Sequence, residues 1–181
     1  ENIFLEKIIR SPSLFKKPLI IANEVNNYFV NICDIIYIKN KKIFNYIKFG
    51  EEKGFNLRSG RKGKLNWWIL PKQARESYKI LVSRHHNDNF NVFYNTELVI
   101  FNSFYGISNS NFSDIEILTN LVSTLGVLQV ELFGRTNQGE GVLNTYGDDI
   151  NFFYFIPLDE KKIESDLKSI MNRERKTIFY E

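Results

Sequence analysis

Cysteine is nearly absent. Cys33 is the only one in 181 residues, so no internal disulfide can form and no thiolate pair can hold zinc. That usage fits a reducing cytoplasm. Proline is scarce too: Pro12, Pro18, Pro71 and Pro157 are the full set, and no two are adjacent. No apolar run approaches the ~18–20 residues of a membrane span, and no signal peptide is visible, so no membrane partner is expected. Excess charge of one sign is also missing. The net charge is only +3, so any nucleic-acid role must rest on a local basic patch. The first residue is Glu rather than Met, which reads as a piece cut from something longer.

Familiar reaction machinery is missing as well. No Gly-x-Gly-x-x-Gly follows a strand: Gly139 and Gly141 are followed by Asn144 where a third Gly would stand. No P-loop lysine follows a Gly-rich loop. His85 and His86 are adjacent, and neighbours on a strand face opposite sides, so they would not share a metal. Cys33 sits in an apolar, strand-like run and reads as a small core hydrophobe. No Ser/His/Asp or Cys/His set stands out. Neither a catalytic residue, a metal ligand nor a cofactor site is expected in this chain.

What the sequence does have is aromatic residues: 16 Phe, nine Tyr and two Trp. Such rings fill cores with large buried area, and they also stack on nucleobases. Residues 1–10 carry Ile3, Phe4, Ile8 and Ile9 and are expected to form a short helix, broken at Ser11-Pro12-Ser13. Residues 19–21 and 28–37 read as strands. Residues 41–55 read as a helix through Phe44, Ile47 and Lys48, with Gly54 near its end. Residues 67–70 read as an apolar strand closed by Pro71. Residues 78–83, 91–95 and 98–101 are three short β-prone runs separated by turn residues, a spacing that suggests antiparallel strands. Residues 114–133 form the clearest helical region, with Ser113 and Glu116 as a capping box and Gly126 as a candidate break. Residues 150–157 read as a strand or buried extended segment, and residues 160–180 as an amphipathic helix. Strands precede helices without βαβ alternation. The expected class is α+β, a curved, mostly antiparallel mixed sheet in the N-terminal two-thirds with helices packed against it. The expected division is a domain over residues 1–157, and a C-terminal helix over 158–181 packed on it or extending from it.

Three constellations suit DNA. Residues 53–66 hold Lys53, Arg58, Arg61, Lys62 and Lys64 among Gly60 and Gly63, with no acid. Cations on a Gly-punctuated loop suit phosphate contacts, because each neutralised phosphate releases counterion. A solvated charged loop is the bland reading of the same residues. Beside the loop, one of Trp67 and Trp68 is expected to be fully buried and the other to face outward, where Trp67 is the candidate for stacking or wedging against DNA. The second set is Arg84, His85 and Asn87, since Arg and Asn read guanine and adenine bidentately; a polar hairpin connection is the alternative. The third is Arg135, Asn137 and Gln138, with Gly139 and Gly141 letting the backbone come close. Here Arg135 either contacts DNA or stabilises the preceding helix C-terminus.

Several stretches together resemble the target-recognition domain of fused type IIG restriction–methyltransferases. Residues 8–12 are similar to its I-I-K/R-S-P opening. Residues 46–51 resemble Y-I-K-W-G-E. Arg61 with Trp67, Trp68 and Leu70 resembles R-x-x-W-W-x-L, with Arg61 six positions before the first Trp rather than three, and residues 89–95 resemble R-F-x-V-F-Y-N. Residues 131–143 resemble E-L-x-G-R-T-N-x-G-E-G-A-L, and Asp149-Ile150 with Ile156-Pro157 resembles D-I-x-x-x-x-I-P with one more residue in the spacer. The matches run in order from about residue 8 to residue 157. Departures fall at Ser13, Leu14, Asn89 and residues 152–155. The resemblance implies sequence-specific recognition of double-stranded DNA for an adenine-N6 methyltransferase in the cytoplasm of a prokaryote. It implies that the catalytic domain, the S-adenosylmethionine site and the Asn-Pro-Pro-Tyr motif for a flipped adenine lie outside this chain, so that the catalytic domain is a partner and the cofactor belongs to the parent enzyme. A protein-binding or structural module with a solvated basic loop is the rival reading.

Overall fold

The computed structural model describes residues 4–32, 41–86, 91–135 and 143–172. It is α+β, with mixed and antiparallel sheets in the N-terminal part and helices in the C-terminal part. Two compact units divide the chain: Glu1–Lys7 with Tyr28–Glu76, and Ile8–Asn27 with Ser77–Glu181. The short helix expected over residues 1–10 is instead a strand, β1 (Leu5–Ile9). Its partners lie far away in sequence, which a local pattern cannot reveal.

In the first unit, residues Leu5, Glu6 and Lys7 of β1 pair antiparallel with β3 (Tyr28–Val30). Helix α1 (Lys41–Glu52) buries Ile43, Ile47 and Gly50 at helical spacing. It stops short of the expected residue 55. Gly54 takes φ +70° and donates its N–H to Glu51 O at 2.9 Å, reversing the chain. Residues 67–70 are not a strand. They run through consecutive turns, with Ile69 N–H donating to Asn66 O at 3.0 Å. Strand alternation therefore does not apply, and the expected split into one buried and one outward Trp is corrected. Both rings are half-buried against Ile32, Ile43 and Ile47.

The second unit is built on four strands: β2 (Leu19–Ile20), β4 (Ile80–Ser83), β6 (Val92–Asn95) and β8 (Phe104–Ile107), in the order β2-β6-β4-β8. Period-2 alternation sends the two faces of this sheet into separate cores. Leu81, Phe93 and Phe104 join Ile9, Phe15 and Ile20 on one side. Ile80, Val82 and Val92 join Ile117, Leu118 and Leu121 on the other. The end of β1 pairs in parallel with β7 (Ile100–Phe101) on the first of these sides.

Helix α2 (Asp114–Val122) starts at the expected capping box: Ser113 Oγ accepts from Glu116 N–H at 3.2 Å, and Glu116 Oε2 accepts from Ser113 N–H at 3.0 Å. Helix α3 (Thr124–Phe133) follows at 69°. The break falls at Ser123, not Gly126. Ser123 Oγ donates to Asn120 O at 2.6 Å and accepts from Gly126 N–H at 3.3 Å, so one side chain ends one helix and begins the next. Gly126 serves the bend differently, since a Cβ there would collide with the carbonyls of Asn120 and Leu121. Residues 150–157 form no strand. After a short helix, α4 (Gly147–Ile150), the chain runs extended and its backbone is bonded by side chains of α2 and α3. Asn120 donates to Ile156 O and accepts from Ile156 N–H, both at 2.9 Å. Gln129 brackets Tyr154 in the same way. Helix α5 (Glu160–Asn172) buries Leu167 and Met171 against α2. Among the described residues, no single helix is long and apolar enough to cross a membrane.

Candidate nucleic-acid interface

In the second unit a narrow ribbon gathers cations that are far apart in sequence. Strand β5 (His85–His86) pairs antiparallel with β9 (Leu143–Asn144), placing His85 opposite Asn144. Asn144 in turn bridges Arg135 through N–H···O bonds of 3.0 and 2.9 Å, and Thr145 N–H donates to Arg84 O at 3.0 Å. Residues opposite each other in such ladders share a face. The ladder thus puts His85, Asn144 and Arg135 in register, and a backbone bond ties Arg84 to the same ribbon.

Each of these side chains has a defined posture. The Arg84 guanidinium lies over the Tyr105 ring, 4.9 Å from its centroid, and that of Arg135 over the Tyr146 ring at 5.1 Å. A cation on an aromatic face keeps its outward N–H donors available while losing rotamer freedom in advance. Arg135 also pairs with Asp149 Oδ1 at 2.7 Å, and the other oxygen of that buried carboxylate accepts from Tyr146 N–H at 3.1 Å. The Arg135 charge is thus directed at α4 rather than at a carbonyl of α3. His85 is exposed, and its Nδ1 hydrogen-bonds the side-chain amide of Asn144. Its neighbour His86 points the opposite way and is 2% exposed. Burial, with the adjacent His85 as a second cause, lowers the His86 pKa to about 4.

In the first unit the basic loop winds through tight turns. Gly60 and Gly63 both take φ +79°, and the N–H groups of Arg61 and Lys62 donate to Arg58 O at 2.9 and 3.1 Å. Only Gly adopts that conformation without strain, so the two glycines set the spacing of the cations. Arg58, Lys62 and Lys64 are exposed. Arg61 differs from these three: it is half-buried and donates from Nη1 to Ile69 O at 3.1 Å. Arg58 lies over the Phe55 ring at 4.3 Å. Arg58, Arg61 and Trp67 line a pocket of about 450 Å³ whose other walls are largely aromatic.

Asn87, Asn137 and Gln138 lie outside the described residues, as do Gly139 and Gly141. Tyr105, Tyr146, Asn144 and Asp149 had not been singled out as site residues. Tyr105 stands 21 positions from the arginine it supports, so no local pattern could pair them. Asp149 did carry a signal, since it opens the D-I stretch of the family resemblance.

Residues 19–179 match the family described as type II methyltransferase M.Eco57I, C-terminal domain. No curated protein matches the chain.

Proposed function

Because the chain belongs to the family of type II methyltransferase M.Eco57I C-terminal domains, we propose that it reads double-stranded DNA for an adenine-N6 methyltransferase of a restriction–modification system. In this reading it grips the duplex and selects the site, while a catalytic domain of the parent enzyme, in the prokaryotic cytoplasm, binds S-adenosylmethionine and the flipped adenine. The observation that supports it most is the β5–β9 ribbon, whose backbone ties together Arg84, His85 and Arg135, all exposed, with the two guanidiniums each braced by a tyrosine. Planar donors held in this way suit phosphate and guanine edges. The exposed loop cations Arg58, Lys62 and Lys64 add phosphate contacts.

Arg84→Ala tests this more cleanly than Arg135→Ala, because Arg135 also neutralises buried Asp149. Duplex affinity measured against salt should fall for Arg84→Ala with thermal stability unchanged. Lys62→Ala with Lys64→Ala should weaken all duplexes alike and reduce the salt slope by about 0.9 per lost contact. Salt-independent or undetectable duplex binding by the unaltered chain would refute the reading. A second reading has one observation behind it. Leu128, Leu132, Phe152 and Tyr154 are exposed, and Gln129 ties Tyr154 to α3 among them. An apolar face of this kind suits a protein partner, and a catalytic domain of the parent enzyme is the candidate in this reading.

A further inference from the structure

The pocket of the first unit has a chemistry that duplex gripping does not use. It is walled by Tyr28, Tyr46, Phe55, Trp67 and Trp68, with Arg58 and Arg61 at its lining. Tyr28 is 56% and Tyr46 48% exposed, so their rings are accessible rather than consumed by the core. The Trp rings meet edge to face at 85°, with centroids 6.1 Å apart. Trp67 Nε1 donates to Glu51 at 3.3 Å. Trp68 Nε1 is different: it is buried and, among the described residues, has no hydrogen-bond partner. The volume, about 450 Å³, falls within the ~300–1,000 Å³ of small-molecule sites.

A ligand matched to these features is planar and carries negative charge beside the ring. We propose that this pocket takes one unstacked nucleotide of DNA, its base against the tyrosine and tryptophan rings and its phosphate toward Arg58. The inference rests on the DNA-recognition reading and deepens it. A base pair within an intact stack presents only its edges, and a concave aromatic pocket cannot close on an edge. A base swung out of the stack presents two faces, and aromatic platforms hold such a base without regard to its identity. The acid-free run of residues 53–66 beside the pocket supplies the cations that keep the flanking backbone close.

The chain's two tryptophans both line this pocket, so tryptophan emission reports on it alone. The full 181-residue chain is titrated with three hairpin duplexes of one sequence: fully paired, carrying a single unpaired adenine, and carrying an abasic residue at that position. The unpaired adenine should quench emission saturably and bind roughly 5- to 150-fold more tightly than the abasic duplex, the range of one base–aromatic stack. Tyr46→Ala should remove that advantage and Tyr46→Phe should keep it. Tyr28→Ala is the second probe; both side chains are exposed, so folding does not depend on them. Equal affinities for the adenine and abasic duplexes without quenching would overturn the pocket assignment while leaving duplex recognition standing. Quenching by the fully paired duplex equal to that by the bulged one would also overturn it. Failure to bind any of the three would remove both readings.

Discussion

His86 makes stability in mild acid a test of the second unit's core. It sits at the β5–β9 ribbon, 2% exposed, and burial holds its pKa near 4, against an ordinary value of 6.5. A group whose folded pKa is depressed in this way is neutral in the fold and binds its proton more readily once unfolded. Above pH 6.5 both states are neutral and His86 adds no pH dependence. As pH falls from 6.5, the unfolded chain takes up a proton that the folded chain refuses, and stability declines until both states are charged, near pH 4. At pH 5 the accumulated loss is about 2 kcal/mol, at ~1.36 kcal/mol per pKa unit over about 1.5 units, and it approaches about 3 kcal/mol below pH 4. Glu116 works in a different window. The N–H groups of Leu158 and Ser113 hold its carboxyl below the usual range. Its contribution is therefore present above the ordinary carboxylate value and lost only at lower pH. Measurements between pH 7.5 and 5 isolate the histidine. Urea unfolding followed by far-UV circular dichroism is the suitable assay, because both tryptophans lie in the first unit and His86 in the second. The native chain should lose about 2 kcal/mol over that interval. His86→Gln, which cannot titrate, should show little slope whatever its absolute stability. A parallel slope in both proteins would refute the argument that burial keeps His86 neutral.

The remaining predictions concern the helices and the cofactor. Asn120→Ala leaves the N–H and C=O of Ile156 without their partners and should cost about 1–3 kcal/mol, with faster proteolysis near residues 154–158. Gly126→Ala drives a Cβ into the carbonyls that end α2 and should cost about 1–3 kcal/mol, read as a lower melting temperature. Calorimetry of this chain with S-adenosylmethionine should give no saturable heat, since the motifs that would hold the cofactor are missing from its sequence; a 1:1 complex at micromolar affinity would contradict that.

Local physics made part of the fold legible. The capping box at Ser113 was readable because both of its bonds join residues three apart. Strands β4 and β6 were readable because Ile80 to Val82 and Val92 to Tyr94 are compact β-prone runs that fill two cores. What failed depended on distant partners. Residues 5–9 look helical in isolation, yet Leu5 to Lys7 pair with Tyr28–Val30 and Ile8 and Ile9 pair with Ile100–Phe101. Residues 67–70 look like a strand, yet no strand pairs with them and Asn66 turns the chain. The aromatic run at 152–155 lacks a sheet neighbour as well. Its hydrogen bonds come from Asn120 and Gln129, polar residues that helical periodicity marks only as interruptions of an apolar face.

The site divides along a related line. Stretches that carry the family resemblance meet one another in the fold. Arg135 and Asp149, from two separate stretches, form an ion pair at 2.7 Å. Trp67 from a third bonds Glu51 from a fourth, and lies so close over Gly50 that a Cβ there would strike its ring. Arg61 ties the turn after the tryptophans through Ile69 O. These residues are occupied with internal contacts and build the frame. Arg84, Arg58, Lys62 and Lys64 are exposed, and no hydrogen bond or ion pair joins their side chains to other described residues beyond the ring contacts of the two arginines. Stacking fixes where those arginines point without consuming their outward donors. A motif therefore marks where this fold is held together more reliably than which side chains are left free to bind. The residues most suited to contact are those whose side chains the frame positions but does not occupy, which is why Arg84 is a sharper probe of recognition than Arg61 or Arg135.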